Sequence, residues 1–538
     1  MLFSQTAFAS LLQSLGLAKG LFKPFPGETR TFQNPSVLSS HSSDVLENLG
    51  VCEVQPYAAP NLTDRSAPFD PVKSTIYRYR QQQSVNLGSW FVHEQWLTPS
   101  TFKCSSGKQI SEWDIATGWG SPAAARSLLE KHWDSFITQE DFDYLASVGI
   151  NTVRVPIGYW NLGPTFCQGT PFEEVADVYA NSWSRVKQAI NFADRAGLGV
   201  LVDLHGAPGS QNGQPHSGVS DGQTNLFDDP SNVEKTMQVL TFLMTELDQV
   251  TNIAGIQILN EPKNVVGLED FYTEAISRMR QVSPQAVRFP LYIHDGFDLD
   301  RFSRYVANRS DFVVQDHHSY FVFSSPDIAE SASQHAADVQ SSILTDLQNA
   351  AVVSHRNLVV DEWSCALAPQ SLAQESDKSG AQQRFCADQA MIYSDVIAGW
   401  SFWAYMKEDC DTDPGWCFRS AVGKYLPTVF SSFPGTAFPL DAQGTEQTFL
   451  VPLQNVSGRR DISGSTQFVI NKGYSDGFQT AVIFASYGMS RLGFVEQYIQ
   501  DSLSTLVPVQ VAPAEEDIYR QWFRLGLRDG EASVNGGI

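Results

Sequence analysis

Two glutamates stand where apolar, strand-like runs give out: Glu261 closes AGIQILNE (254–261), and Glu362 is the penultimate residue of NLVVDEW (357–363). Cleaving a glycosidic bond needs two carboxyl groups flanking the bridging oxygen, one protonated to help the leaving group and one ionised to attack or to activate water. Asn260, directly before the first acid, is placed to hydrogen-bond a sugar 2-hydroxyl, a contact that strengthens in an oxocarbenium-like transition state. His318 and Tyr320 are two residues apart, so on extended chain they share a face and can position and tune the carboxylates. Trp403 offers a flat apolar platform for a sugar ring. Each residue also has a plainer reading. A strand-terminal Glu taken singly is usually a solvated loop residue, His205 in DLHG suits a structural histidine, and Trp403 suits core packing. Arg154 suits a buried ion-pair partner that keeps neighbouring carboxylates charged. The two glutamates together, each at a strand end, carry the functional reading.

Such residues meet only if the elements behind them converge. Between about 75 and 435 the chain shows eight apolar runs separated by helical or loop-rich stretches: SVNLGSWF (84–91), INTVRVPI (150–157), LGVLVDLH (198–205), AGIQILNE, FPLYIHD (289–295), DFVVQDHH (311–318), NLVVDEW and VIAGWSFWAY (396–405). Their ends carry Glu94, Arg154, His205, Asn260 with Glu261, His294 with Asp295, His317 with His318, Glu362 and Trp403. Functional groups at the C-terminal ends of successive parallel strands are what a (β/α)₈ barrel brings to one mouth. The expected architecture is therefore an α/β TIM barrel over 75–435, with an N-terminal flank at 1–74 and a C-terminal extension at 436–538. The flank opens with an apolar helix, and the extension reads as a strand-like patch (TFLVPL, STQFVIN) followed by two helices, FQTAVIFASYGMSRLGFVEQYIQDSL and IYRQWFRLGLRDGEA.

Composition narrows the partners. A formal charge of −23 without a basic cluster repels nucleic acid and anionic membrane surfaces, and no run approaches the ~20 apolar residues of a membrane span. Seven cysteines are sparse and odd in number, so free thiols are expected, with a local Cys410–Cys417 pair as the alternative. The first 20 residues lack a basic n-region and an unbroken apolar run, which predicts a cytoplasmic protein, with secretion as the alternative. The sequons at Asn61, Asn308 and Asn455 would count only beside an export signal. No metal is expected from His294, Asp295, Asp316, His317 and His318, which lack a ligand spacing such as His-x-x-x-His. KEDCDTDPGW (407–416) opens like a calcium loop but lacks the closing Glu, and GAPGSQNG (206–213) lacks the Lys-Ser/Thr of a phosphate loop.

The motifs VNLGSWFVHEQWLTPSTF (85–102), VRVPIGYW (153–160), DLHGAPGSQNG (203–213), GIQILNEP (255–262), DHHSYFVF (316–323), DEWSCAL (361–367) and GWSFWAY (399–405) together resemble glycoside hydrolase family 5, in its fungal exo-β-1,3-glucanase branch. The resemblance covers some 320 residues in the family's order, and the C-terminal extension is most similar to intracellular members. It implies a TIM barrel, retention of anomeric configuration and no cofactor. It places the acid/base on Glu261, the nucleophile on Glu362, supporting roles on Arg154, His205, Asn260, His318 and Tyr320, a grip on the terminal glucose on Glu94, and the ring platform on Trp403. Of the aromatic faces that hold the next sugar in secreted relatives, Phe323 keeps one, while Gln214 and His216 stand at the positions that line the entrance subsite. Asp361 replaces the family's usual Gly before the nucleophile and is expected to point outward.

The predicted activity is removal of glucose from non-reducing ends of β-1,3-linked glucans or oligosaccharides, with poor turnover of long glucan because Gln214 removes one face of the clamp. The alternative within catalysis is hydrolysis of small β-glucosides with glycolipid, sterol or phenolic aglycones; the alternative outside it is a disabled carbohydrate-binding barrel. The oligomeric state is left open.

Overall fold

The computed structural model describes residues 52–60, 62, 67–432, 464–507 and 510–536. The opening helix, the TFLVPL patch, Asn61 and Asn455 lie outside these residues.

Eight parallel strands close into a barrel in sequence order: β1 Gln82–Asn86, β2 Thr152–Gly158, β3 Gly199–Gly206, β4 Ile253–Gln257, β5 Leu291–His294, β6 Val313–Ser319, β7 Leu358–Trp363 and β8 Gly399–Phe402, with β8 pairing back onto β1. Each of the eight apolar runs contains or overlaps one strand. The first strand starts two residues earlier than its run and stops at Asn86, because Leu87, Trp90 and Phe91 leave the sheet and pack in the outer core. The strands are buried on both faces, as a barrel wrapped by helices requires.

The N-terminal end of the barrel is closed by segments from both ends of the chain. Helix α1 (Pro71–Tyr79) starts at the Asp70 cap, whose carboxylate accepts from the Val72 and Lys73 N–H groups. Three further helices, α2 (Gly464–Ser486), α3 (Val495–Leu506) and α4 (Glu516–Gly536), come from the C-terminal extension. Ile76 and Tyr79 of α1 share one apolar cluster with Leu201, Tyr292, Val314 and Val359 from the strands and with Phe484, Phe494, Leu503 and Phe523 from the extension. The extension thus plugs the barrel end opposite the strand C-termini.

Two expectations about this region are corrected. STQFVIN lies in helix α2, where β-branched and aromatic residues had suggested a strand. Gly473 and Gly477 of α2 face Tyr519 and Phe523 of α4, Gly526 and Gly530 of α4 face Tyr474 and Phe478 of α2, and a Cβ at any of these glycines would crowd main-chain atoms of the facing helix. This close approach of two helices outweighs local propensity. The stretch FQTAVIFASYGMSRLGFVEQYIQDSL is not one helix but breaks between α2 and α3, where Gly488 and Met489 take φ of 66° and 55°.

The cysteine expectation is also overturned. Cys52 pairs with Cys104, Cys365 with Cys386 and Cys410 with Cys417, leaving Cys167 free and buried. An odd count does not exclude pairs, and residues 52 apart in sequence become neighbours only through the fold. Denatured without reductant, the protein is expected to yield one alkylatable thiol, Cys167, and seven after reduction. Modification of Cys104 or Cys365 before reduction would contradict the pairing.

Candidate active site

At the strand C-termini, Arg154 of β2 is fully buried and acts as the hub. Its Nε donates to Gln257 Oε1 at 2.7 Å and its Nη1 to Asn86 Oδ1 and Glu362 Oε1, both at 2.8 Å. Nη2 donates to Asn260 Oδ1 at 2.7 Å and pairs with Asp203 at 3.1 Å. Burial alone would lower the guanidinium's pKa, but the Asp203 and Glu362 carboxylates more than offset it and hold Arg154 charged.

Glu362 receives a second donor, the Tyr320 hydroxyl, at 2.9 Å from Oε2. Glu261 faces His318, whose Nδ1 lies 2.8 Å from Glu261 Oε1 and 3.4 Å from Glu362 Oε2. Because one nitrogen reaches both carboxylates, the two oxygens it contacts are closer together than the ~6.5–9.5 Å separation of an inverting pair. His318 Nε2 bonds Asp316 Oδ2 at 3.0 Å, so the ring lies between carboxylates on both nitrogens. Burial works against its charge, but Glu362 and Asp316 raise its pKa well above the ordinary value. Burial would likewise raise Glu261, yet the His318 hydrogen bond and charge hold it down at about 2. Burial pushes Glu362 up to about 7, opposed by His318, Arg154 and the Tyr320 hydrogen bond. The backbone of Glu261 takes a φ of 42°, a sparsely populated conformation for a non-glycine residue, and Asn212 Nδ2 donates to its carbonyl.

Around this pair stand the remaining sequence candidates. His205 Nδ1 bonds Asp203 Oδ2 at 2.7 Å, its Nε2 faces Asn260 Nδ2 at 3.4 Å, and its ring stacks on Trp403 at 5.7 Å and 9°. Burial and the Arg154 charge keep it neutral. His216 Nε2 lies 3.8 Å from Glu261 Oε2, and burial lowers its pKa to about 4. Glu94 accepts from Trp96 Nε1 at 2.7 Å, and burial, with the charges of Glu362 and Glu261, raises its carboxyl to about 8. Trp403 is 4% exposed, whereas Phe323 is 37% exposed at the rim. Gln214 sits in the turn after β3, its N–H donating to Asn212 Oδ1. Phe323 packs beside Tyr320 at 5.4 Å and Trp416 at 6.0 Å.

Asp361 corrects the expectation that it points outward. It is fully buried, its N–H bonds Asp316 Oδ1, and it feels the charges of Asp316, Arg154 and His318. The cause is a β-bulge: β7 advances three residues from Val360 to Trp363 while β8 advances two from Trp400 to Phe402. The extra residue lets consecutive side chains, Asp361 and Glu362, both turn inward. Burial and Asp316 raise the Asp361 pKa well above the usual carboxylate range.

Glu261, His294 and His318 bring three potential ligand atoms within 4.8 Å of one another. The donor set does not suit a metal, because both His318 nitrogens face carboxylates and His294 Nδ1 accepts the Gly296 N–H.

Several members of the site carry little signal in the sequence. Asp203 and Asp316 each lie two residues before a recognised histidine, so the period of 2 along a strand was a usable signal. Asn86 and Gln257 had no signal beyond their place near strand ends, and Trp96 and Trp416 are loop residues positioned by tertiary contacts.

A closed barrel with two buried glutamates joined through one histidine at the strand C-termini defines a carbohydrate-cleaving class of active site. The model of the cellulase family (glycosyl hydrolase family 5) matches residues 120–406, and the chain belongs to that family and is a glycoside hydrolase. Glucan 1,3-beta-glucosidase 3 of Schizosaccharomyces pombe is 29% identical over 467 residues, covering 84% of this chain and 97% of the relative. The probable glucan 1,3-beta-glucosidase A of Aspergillus niger is 30% identical, covering 66% of this chain and 89% of its own. Among solved structures, rutinosidase from Aspergillus niger superposes with a TM-score of 0.50 at 19% identity, covering 62% of this chain and 91% of that one, a likeness of fold.

Proposed function

We propose that this chain is a retaining exo-β-glucosidase that removes single glucose units from β-1,3-linked glucans or oligosaccharides, with Glu362 as nucleophile and Glu261 as acid/base. The observation that carries the reading is the bridging position of His318 Nδ1 between the two glutamates. Burial raises the Glu362 pKa and the His318 proton lowers that of Glu261, but Arg154 and Tyr320 both donate to Glu362 and compensate its charge once the His318 proton moves away, which makes Glu362 the nucleophile. Glu261 has His318 as its donor. When the His318 Nδ1 proton slides across to Glu261 Oε1, Glu261 becomes the acid, His318 becomes neutral and Glu362 stays ionised. That is the charge arrangement glycosyl transfer to the enzyme requires. Water, activated by the ionised Glu261, then releases glucose with its configuration retained. Glu94, Asn260 and Trp403 hold the sugar. The names of the fungal relatives support the β-1,3 linkage.

Release of glucose from laminaribiose, cellobiose and gentiobiose tests the linkage. Laminaribiose should be the best of the three, and a clear preference for cellobiose would contradict the assignment.

Tyr320→Phe removes a donor that lowers the Glu362 pKa. The nucleophile works ionised, so a raised pKa shifts the acidic limb of kcat/KM to higher pH. A limb that moves to lower pH would contradict the role given to Glu362.

Three disulfides form most readily in an oxidising compartment, which supports the secreted alternative over the cytoplasmic one. Detection of the native protein outside the plasma membrane tests this.

A further inference from the structure

The β7 bulge that turns Glu362 inward also turns Asp361 into the barrel interior, where it is fully buried. Its ionisable neighbours are Asp316 and His318 of β6, Arg154 of β2, Asp203 of β3 and Tyr292 of β5. Among the described residues, neither Asp361 carboxyl oxygen has a hydrogen-bond partner. The donors around it are committed elsewhere. Every Arg154 N–H group is taken, by Gln257, Asn86, Glu362, Asn260 and Asp203. Both His318 ring nitrogens face other carboxylates, those of Glu261 and Asp316. Gln257 Nε2 donates to Asp316 Oδ2 at 2.6 Å, and Asn86 Nδ2 donates to the Asp361 main-chain carbonyl at 2.8 Å. Asp316 thus collects donors from Gln257, His318 and the Asp361 N–H, while the Asp361 side chain collects none. A carboxyl buried without a donor is costly to ionise and keeps its proton instead.

We propose that Asp361 is a positioning residue that carries a proton through the catalytic cycle and, acting through Asp316, limits the negative charge behind His318. This rests on the glucosidase reading above, in which the His318 Nδ1 proton passes to Glu261. A second anion beside Asp316 would hold that proton more tightly on His318 and leave Glu261 without it as the leaving group departs. With Asp361 neutral, His318 faces one carboxylate on each nitrogen, and its proton can move toward Glu261. Raising the pH until Asp361 ionises should slow the first step, so the alkaline limb of kcat/KM belongs to Asp361.

The test compares wild type with Asp361→Asn and Asp361→Gly. At neutral pH, the infrared difference between wild type and each variant should contain the carbonyl stretch of a protonated carboxyl. Both variants remove the titrating group, so the alkaline limb of kcat/KM on an aryl β-glucoside should move to higher pH by about one unit. Asparagine keeps the shape of the side chain and glycine removes it, so agreement between them separates charge from packing. Carboxylate bands in the difference spectrum, or a limb that stays in place, would overturn the inference. So would a limb that moves to lower pH, the result expected of an ionised Asp361 that supports the His318 charge. A wild type inactive on β-glucosides would instead overturn the hydrolase reading, and the infrared spectrum would still report whether Asp361 holds its proton.

Discussion

Glu362→Ala should lower kcat on an activated aryl β-glucoside by about four orders of magnitude or more, the scale seen when a nucleophile is removed from a unit that works together. Azide should restore part of the rate. It occupies the space left by the carboxylate and attacks from the face opposite the leaving group, so the product should be the α-glucosyl azide. Glu261→Ala should behave differently. With a good leaving group the glycosyl-enzyme still forms on Glu362, and azide then takes the place of the activated water, giving the β-glucosyl azide. Product stereochemistry, read by NMR, assigns the roles independently of rate. Exchanged outcomes would exchange the roles of the two glutamates.

Arg154→Met should be the most destabilising single change in the site. Its guanidinium is fully buried and pairs with Asp203 and Glu362, while Asp316 adds further negative potential. Removing one partner of such a cluster leaves buried carboxylates without a counter-charge, a loss of about 3–5 kcal/mol. The same change removes a group that lowers the Glu362 pKa, now about 7. Because the nucleophile must be ionised, the acidic limb of kcat/KM should move to higher pH in whatever fraction folds. Denaturant unfolding and a pH profile read the two effects separately. A loss below about 1 kcal/mol would show that the buried carboxyls are already neutral and need no partner.

The sequence displayed the barrel because strands buried on both faces read as short continuous apolar runs, and because the candidate site residues gather at one end of each. Glu261, Glu362, Asn260, His205, His318 and Tyr320 were visible for that reason, and the structure brings them together around Arg154. Features set by register or by distant contacts were not visible. The bulge that turns both Asp361 and Glu362 inward adds one residue to one strand and leaves no local trace. The helix containing STQFVIN is decided by Gly473 and Gly477 packing against the main chain of Tyr519 and Phe523 in α4, far along the sequence. Cys52 and Cys104 come together only once the barrel has formed. Trp416, in a loop whose composition suggested calcium, gained its place from a disulfide and from rings contributed by two other loops.

A double-displacement mechanism on a pair of carboxylates joined by His318 is read from the first turnovers of a β-glucoside, followed by proton NMR before mutarotation. β-Glucose should be the initial product, with the α-anomer appearing only as the solution equilibrates. α-Glucose as the first product would contradict it.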